Sequence, residues 1–213
     1  METEKSMAKQ IEGVSEKILS CAKREFLEKG YTDASLRTIA AEADTSTNSI
    51  YVRFKDKEGL FKAIVEPTLN EMLSRFVRIQ EKFHQLDSRA QAEGMVEYAA
   101  KSMDGLIDYI YDHQEEFHLL LDASYGTRFH RFIDEMVQVE VEYTYKYMEA
   151  INYPKMMGDA VTQTVLHIVN TSYFEGIFEV IRHDMSREEA KSYVALLGRY
   201  HHTGFEAVFN QKN

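Results

Sequence analysis

Between residues 35 and 54 the sequence carries two short helical patterns separated by only three residues, and that spacing limits the fold more than any other feature of the chain. Ser35 precedes Leu36, Ile39, Ala40 and Ala43, an apolar stripe opened by a residue type whose hydroxyl accepts from the free amides of a first turn. Asp44, Thr45 and Ser46 interrupt the stripe, and residues 47–54 resume helical spacing with Ile50 and Phe54 four apart. Upstream, Val14, Ile18, Ala22 and Phe26 recur at every fourth position, one face of a first helix that stops at Gly30. Two short helices meeting at a tight turn on a preceding helix make a helix-turn-helix, whose second helix fits the major groove of DNA.

Helical spacing continues to the end of the chain. Only ten glycines and two prolines occur in 213 residues, and no glycine-rich nucleotide loop or H-E-x-x-H metal motif is present, which removes several large enzyme classes. A fourth helix opens near Asp56 and runs through Leu60, Phe61 and Ile64 toward Phe83; Pro67 within it predicts a kink or a break near Ala63. Met95, Ala99, Met103, Leu106, Ile107 and Ile110 mark a fifth, and Phe117, Leu120 and Leu121 a short sixth stopped at Gly126. The seventh, over about 128–151, aligns Phe129, Phe132, Met136, Val139, Tyr143 and Tyr147, and Pro154 marks the next start. An eighth, over about 155–183, has two apolar stripes, Val161, Val165 and Ile168 against Leu166, Val169, Tyr173, Ile177 and Ile181, so it is expected to be covered on two sides. The ninth, over about 187–209, has Val194, Leu197, His201, Phe205 and Val208. The expected fold is all-α with about nine helices. Residues 1–56 are expected to form a three-helix DNA-binding domain, 57–87 a connecting helix, and 88–213 a larger helical domain.

Charge divides the chain in the same place. Residues 1–65 hold eleven basic and eleven acidic side chains, so the net charge of −10 lies wholly in residues 66–213. A contact with a polyanion therefore belongs to the first third. The single cysteine, Cys21, closes no intrachain disulfide, and neither a leader nor a run of about 18 apolar residues occurs; a cytoplasmic protein without membrane contact is expected.

Thr45, Ser46, Thr47, Asn48 and Ser49 place short hydrogen-bonding side chains at the start of the second helix, where base edges and phosphates are reached. Tyr51, Arg53, Lys55 and Lys57 follow with phosphate-binding types; on charge pattern alone, alternating with Asp56 and Glu58, they read as a solvated face. Residues Ile18 to Phe61, including Ala22, Phe26, Gly30-Tyr31, Ser35-Leu36-Arg37, Ile39-Ala40, Ser46, Ile50-Tyr51, Phe54, Lys57 and Leu60-Phe61, resemble the DNA-binding domain of the tetracycline-repressor (TetR) family. The resemblance implies phosphate contacts from Arg37, Tyr51 and Lys57, with Thr47, Asn48 and Ser49 facing base edges. The chain departs from the family at Asp44, where glycine is usual in the turn, and at Arg53, where an aromatic or histidine is common. Asp tolerates a left-handed backbone better than most residues, so the turn is expected to survive.

Thirteen Tyr, twelve Phe and ten Met, most of them after residue 60, suit an apolar cavity with a few polar anchors. Met103, Phe117, Leu121, Tyr125, Phe132, Met136, Tyr143, His167, Asn170 and Phe174 are the candidate pocket residues, although His167 taken alone reads as a satisfied core histidine. Gly176, Gly198 and Gly204 inside helical patterns call for close helix contact, and with the family resemblance imply a homodimer through the last two helices.

The function expected is a homodimeric transcriptional repressor, not an enzyme, that binds a palindromic operator and is released by a small apolar or aromatic effector. No cofactor and no metal are expected. The competing reading is a di-metal enzyme or metal sensor built on Glu81/His84 and Glu115/His118, since Glu and His three apart share a helix face. Chance alone gives about one such pair at this composition. A helical interaction module that has lost DNA binding is a third.

Overall fold

The computed structural model describes residues 2–151 and 159–209, and every regular element among them is helical. Nine α-helices occur among the described residues: α1 (Glu2–Asp33), α2 (Leu36–Glu42), α3 (Thr47–Phe54), α4 (Lys57–His84), α5 (Ser88–Asp112), α6 (Gln114–Asp122), α7 (Phe132–Ala150), α8 (Asp159–Arg182) and α9 (Arg187–Phe209). A 3-10 turn covers Arg128–Arg131. The expected helix start at Pro154 lies outside the described residues, as do the side chains of Val161 and Val208. No described helix is long and apolar enough to cross a membrane.

The helices fall into two compact units, Met1–Asn70 with Glu115–His130, and Glu71–Gln114 with Arg131–Asn213. The division runs inside α4 instead of at residues 56 and 88, and α6 joins the first unit.

In the first unit Ile18, Ala22 and Phe26 are fully buried, so the four-residue stripe of α1 is its core face. The regular part of α1 ends at Gly30, whose φ of 72° and ψ of 167° suit a residue without Cβ. The rings of Phe26 and Tyr31 then meet Phe61 of α4 at 5.1 and 5.5 Å, and Phe61 meets Phe129 at 6.1 Å. Tyr31 N–H donates to the carbonyl of Ala123 at 2.8 Å, and Lys23 reaches Glu115 and Glu116 of α6 at 3.1 and 2.6 Å. The helix-turn-helix is thereby built on a shared core that includes chain from the middle of the sequence.

The expected break at Pro67 does not occur, because α4 is continuous from Lys57 to His84. Proline there removes one donor, but Pro67 is exposed, so solvent can serve the carbonyl it abandons. On the buried face Ile64, Val65, Leu69 and Met72 hold both sides of the proline in packed contact.

In the second unit α5 packs on α9, α7 on α8, and α8 on α9. Phe76 of α4 meets Phe174 edge-on at 5.4 Å, and Phe132 meets Phe178 at 5.1 Å. Arg187 at the start of α9 reaches Asp112 of α5 at 2.7 Å, and Lys191 reaches Asp108 at the same distance. Tyr173, Ile177 and Ile181 of the second stripe of α8 are buried with Phe174, Phe178 and Val180, whereas Val165 of the first stripe is half-buried and Ile168 exposed, so the expected cover on two sides is not met by this chain. In the earlier half of α8, Ile168 and Val169 are 57% and 40% exposed, as are Leu196 and Tyr200 of α9 at 63% and 79%. A Cβ on Gly176 would meet Leu197 at 3.0 Å and one on Gly198 the Tyr173 hydroxyl at 3.3 Å. Contact between α8 and α9 of one chain thus accounts for two of the three glycines, while nothing described lies within 4 Å of a Cβ at Gly204.

Candidate nucleic-acid interface and ligand cavity

Two serines start the two short helices. Ser35 Oγ accepts from Thr38 N–H at 3.3 Å, and Ser46 Oγ accepts from Ser49 N–H at 3.2 Å, each satisfying a first-turn amide. Ile39 and Ile50 are fully buried and hold the pair on its core. Ser35 is itself fixed by Glu25, a buried carboxylate of α1 that accepts from Ser35 N–H at 3.0 Å and from Lys29 at 3.1 Å. Burial pulls the Glu25 carboxyl up, but these hydrogen bonds and the nearby charges of Lys29 and Lys57 prevail and hold it below its ordinary value. The signal in the sequence was a glutamate inside the apolar stripe, next to Phe26.

Between the helices Asp44 has φ of 50°, the left-handed backbone its position in the turn requires. Its carboxylate pairs with Lys17 of α1, which holds its pKa below the usual carboxylate value. Ser46, Asn48, Tyr51 and Lys55 are exposed on or beside α3, and Arg37 is exposed on α2; Thr45 and Thr47 are half-buried. Val52, four residues after Asn48 and so on the same face, is 74% exposed, an apolar group that sequence reasoning passed over.

Three expected DNA contacts are engaged within the unit. Arg53 donates to Ser49 Oγ at 2.6 Å and to Ser15 Oγ of α1 at 3.2 Å, which occupies both Arg53 and Ser49. Lys57 donates to the carbonyls of Thr32 and Ala34 at 2.9 and 2.7 Å and lies 4.9 Å from the centre of the Tyr31 ring. Burial pushes its pKa down. The ammonium holds the junction of α1 and α2.

The second unit contains a cavity of about 80 Å³ among α4, α5, α7, α8 and α9. Of the candidate residues, Met103, Tyr143, Asn170 and Phe174 line it. The structure places the others elsewhere. Phe117 is core and Leu121 half-buried on α6, and Tyr125 is 78% exposed, all three in the first unit. Phe132 and Met136 are buried outside the lining, and His167 is exposed on α8 beside Gln138 and Tyr145 of α7.

Polar groups that sequence reasoning missed complete the wall. Gln80 of α4 donates to Glu140 of α7 at 2.6 Å. Burial pushes the Glu140 carboxyl up to about 7 against the opposing pull of that bond. Burial also holds His201 down at about 4, with His202 beside it adding to the effect, and lowers His202 itself. His201 stacks on Tyr173 at 4.2 Å, and burial raises the Tyr173 phenol. The legible signal was Glu140 in the apolar stripe of the seventh helix, four residues after Met136 and seven before Tyr147.

The two Glu-x-x-His pairs belong to different units. His84 ring nitrogens lie 2.9 and 3.1 Å from the carbonyl oxygens of Gln80 and Tyr143, and Glu115 pairs with Lys23. Among the described residues no three His, Cys, Asp or Glu side chains are grouped to hold a metal.

A capped helix-turn-helix with an exposed polar face is the arrangement of a DNA-reading head, and the second unit has a cavity of its own. Residues 18–64 match the sequence profile of the bacterial regulatory proteins of the tetR family. The chain is 26% identical over 195 residues to an HTH-type transcriptional regulator of Haemophilus influenzae, covering 87% of this chain and 86% of that one. The fold is similar to that of a transcriptional regulator from Aquifex aeolicus, with a TM-score of 0.57 at 18% identity over 92% of this chain and 99% of the other. It is also similar to SmeT, the repressor of the Stenotrophomonas maltophilia multidrug efflux pump SmeDEF, with a TM-score of 0.60 at 16% identity over 89% of each chain.

Proposed function

We propose that the protein is a ligand-responsive repressor that binds a palindromic operator as a homodimer in the cytoplasm. The observation that carries this reading is α3 itself, capped by Ser46, anchored by buried Ile50, and presenting Asn48, Tyr51 and Val52 outward. In this reading residues 1–56 bind DNA, 57–87 connect, and 88–213 take the effector and dimerise. Thr45, Thr47 and Asn48 address base edges, with Val52 offering methyl groups to thymine, while Arg37, Ser46, Tyr51 and Lys55 hold phosphates. Ser49, Arg53 and Lys57 support that face from behind.

Dimerisation through α8 and α9 is supported by exposed Ile168, Val169, Leu196 and Tyr200, large apolar side chains that a second copy would cover. Recognition helices about 34 to 36 Å apart then meet successive major grooves of a two-fold site. The sign of regulation is taken from SmeT, which is a repressor. At about 80 Å³ the cavity is smaller than an aromatic effector needs, so a bound effector favours a state in which the lining has moved apart. A coupling of about 1 to 3 kcal/mol changes operator affinity by about five- to 150-fold.

Selection of bound sequences from a random DNA library tests the reading. An enriched palindrome is expected, lost on Asn48→Ala with Tyr51→Ala. No enrichment by folded protein, or a monomer in sedimentation at micromolar concentration, overturns it.

A further inference from the structure

The described lining of the cavity in the second unit contains one carboxyl group, that of Glu140. Among its described lining residues there is no Lys or Arg. His201 and His202 are held neutral by burial, and the ring nitrogens of His84 are directed at the carbonyl oxygens of Gln80 and Tyr143 and not at Glu140. Glu140 has the Gln80 amide at 2.6 Å, a neutral donor that orients one oxygen and supplies no charge. A carboxylate taken out of water without an opposite charge is costly, and this one answers by holding its proton to about pH 7. The surrounding wall is aromatic, with Phe76, Tyr143, Tyr173 and Phe174 on three different helices. Aromatic faces carry negative potential and attract cations, the same preference as the carboxylate. An anionic ligand would meet both as repulsion, and a neutral apolar ligand would draw on neither.

We propose that Glu140 is the charge-recognising residue of this cavity and that the ligand it takes is an organic cation, a quaternary or protonated amine on an aromatic or apolar body. The inference rests on the reading of this unit as the effector-binding part. Gln80 gives the site a direct line into α4, because the amide that orients Glu140 is carried by that helix. A cation at Glu140 keeps the carboxylate ionised and strengthens its bond to Gln80.

Calorimetric titration of the full chain with phenyltrimethylammonium and with its uncharged isostere tert-butylbenzene tests the proposal, since the two differ in charge at equal shape. The cation is expected to bind at least about ten-fold more tightly than the isostere. Glu140→Gln is expected to reduce cation affinity by at least about ten-fold while changing isostere affinity by less than about two-fold. Wild-type protein gives a second readout that needs no variant: the anion benzoate is expected not to compete. Equal binding of cation and isostere, a cation preference that survives Glu140→Gln, competition by benzoate, or no binding of the cation each overturns the proposal. Operator affinity measured with and without phenyltrimethylammonium separates this from the broader reading. Glu140-dependent binding without any effect on DNA leaves the site standing and removes its role as effector site. Release from DNA by an uncharged effector alone, with no cation binding, does the reverse.

Discussion

The backbone of Gly59, in the first turn of α4, lies so close to the carbonyl oxygen of Phe54 that a Cβ at position 59 would overlap it. The approach is drawn tight by Asp56, whose Oδ1 accepts from Gly59 N–H at 2.7 Å as the cap of α4. A backbone oxygen cannot swing aside as a flexible side chain can. Gly59→Ala is therefore expected to destabilise the protein by about 1 to 3 kcal/mol in urea unfolding. An unchanged midpoint would mean that α3 and α4 separate there without penalty.

Asp44 is the second backbone position under constraint. At φ of 50° any side chain is strained, and the ion pair with Lys17 lies on the surface, where such pairs contribute little. Asp44→Gly is expected to raise the melting temperature by about 1 to 2 °C. A clear fall would show that the pair with Lys17 outweighs the relief of strain.

Neighbouring residues on α3 are expected to differ sharply in DNA selection. Asn48 is exposed, whereas Ser49 is occupied by Arg53. Asn48→Ala should relax base preference at one position of each half-site, and Ser49→Ala should leave the preferred sequence unchanged. Arg37→Ala, read by affinity against salt concentration, should weaken all sequences alike and reduce the slope by about one per subunit. A change of preferred base on Ser49→Ala contradicts this arrangement.

Glu140 makes stability depend on pH in a definite direction. Its folded-state value of about 7 lies above the ordinary 4.5, so the folded protein binds the proton more tightly than the unfolded chain. The favourable contribution is complete below about pH 4.5 and is lost as pH rises through 7. Glu140→Gln keeps the shape and the partner but cannot ionise. The variant is expected to gain on the wild type between pH 5 and 8 by up to about 3 kcal/mol in urea unfolding. A constant difference across that range would show that Glu140 does not titrate there.

The DNA-binding part was largely legible because short-range chemistry determines it. Ser35 had to cap, Gly30 had to turn, and Ile39 and Ile50 had to face inward, each a statement about a few consecutive residues. The roles of Lys57 and Arg53 were not, since a cation near a recognition helix is the same in sequence whether it meets a phosphate or a carbonyl such as that of Ala34. The cavity was legible only in part. Periodicity marks the apolar face of a helix but not its partner, so Met103, Tyr143, Asn170 and Phe174 could not be told from Phe132 and Met136, equally apolar and buried away from the lining. The continuity of α4 through Pro67 was not legible, because the cost of the proline was weighed alone, without the packing of Val65, Leu69 and Met72 around it.

The aromatic contacts of Phe61 with Phe26, Tyr31 and Phe129 bear on any attempt to move this DNA-reading head onto another protein. A graft cut after α3 would lose Phe61 altogether, one cut after the first turns of α4 would leave Phe61 without Phe129, and either would leave Tyr31 without its backbone acceptor at Ala123. The transplantable piece is discontinuous: residues 1–70 must travel with 115–130, and a chimera that omits the second segment inherits the recognition residues without the floor beneath them.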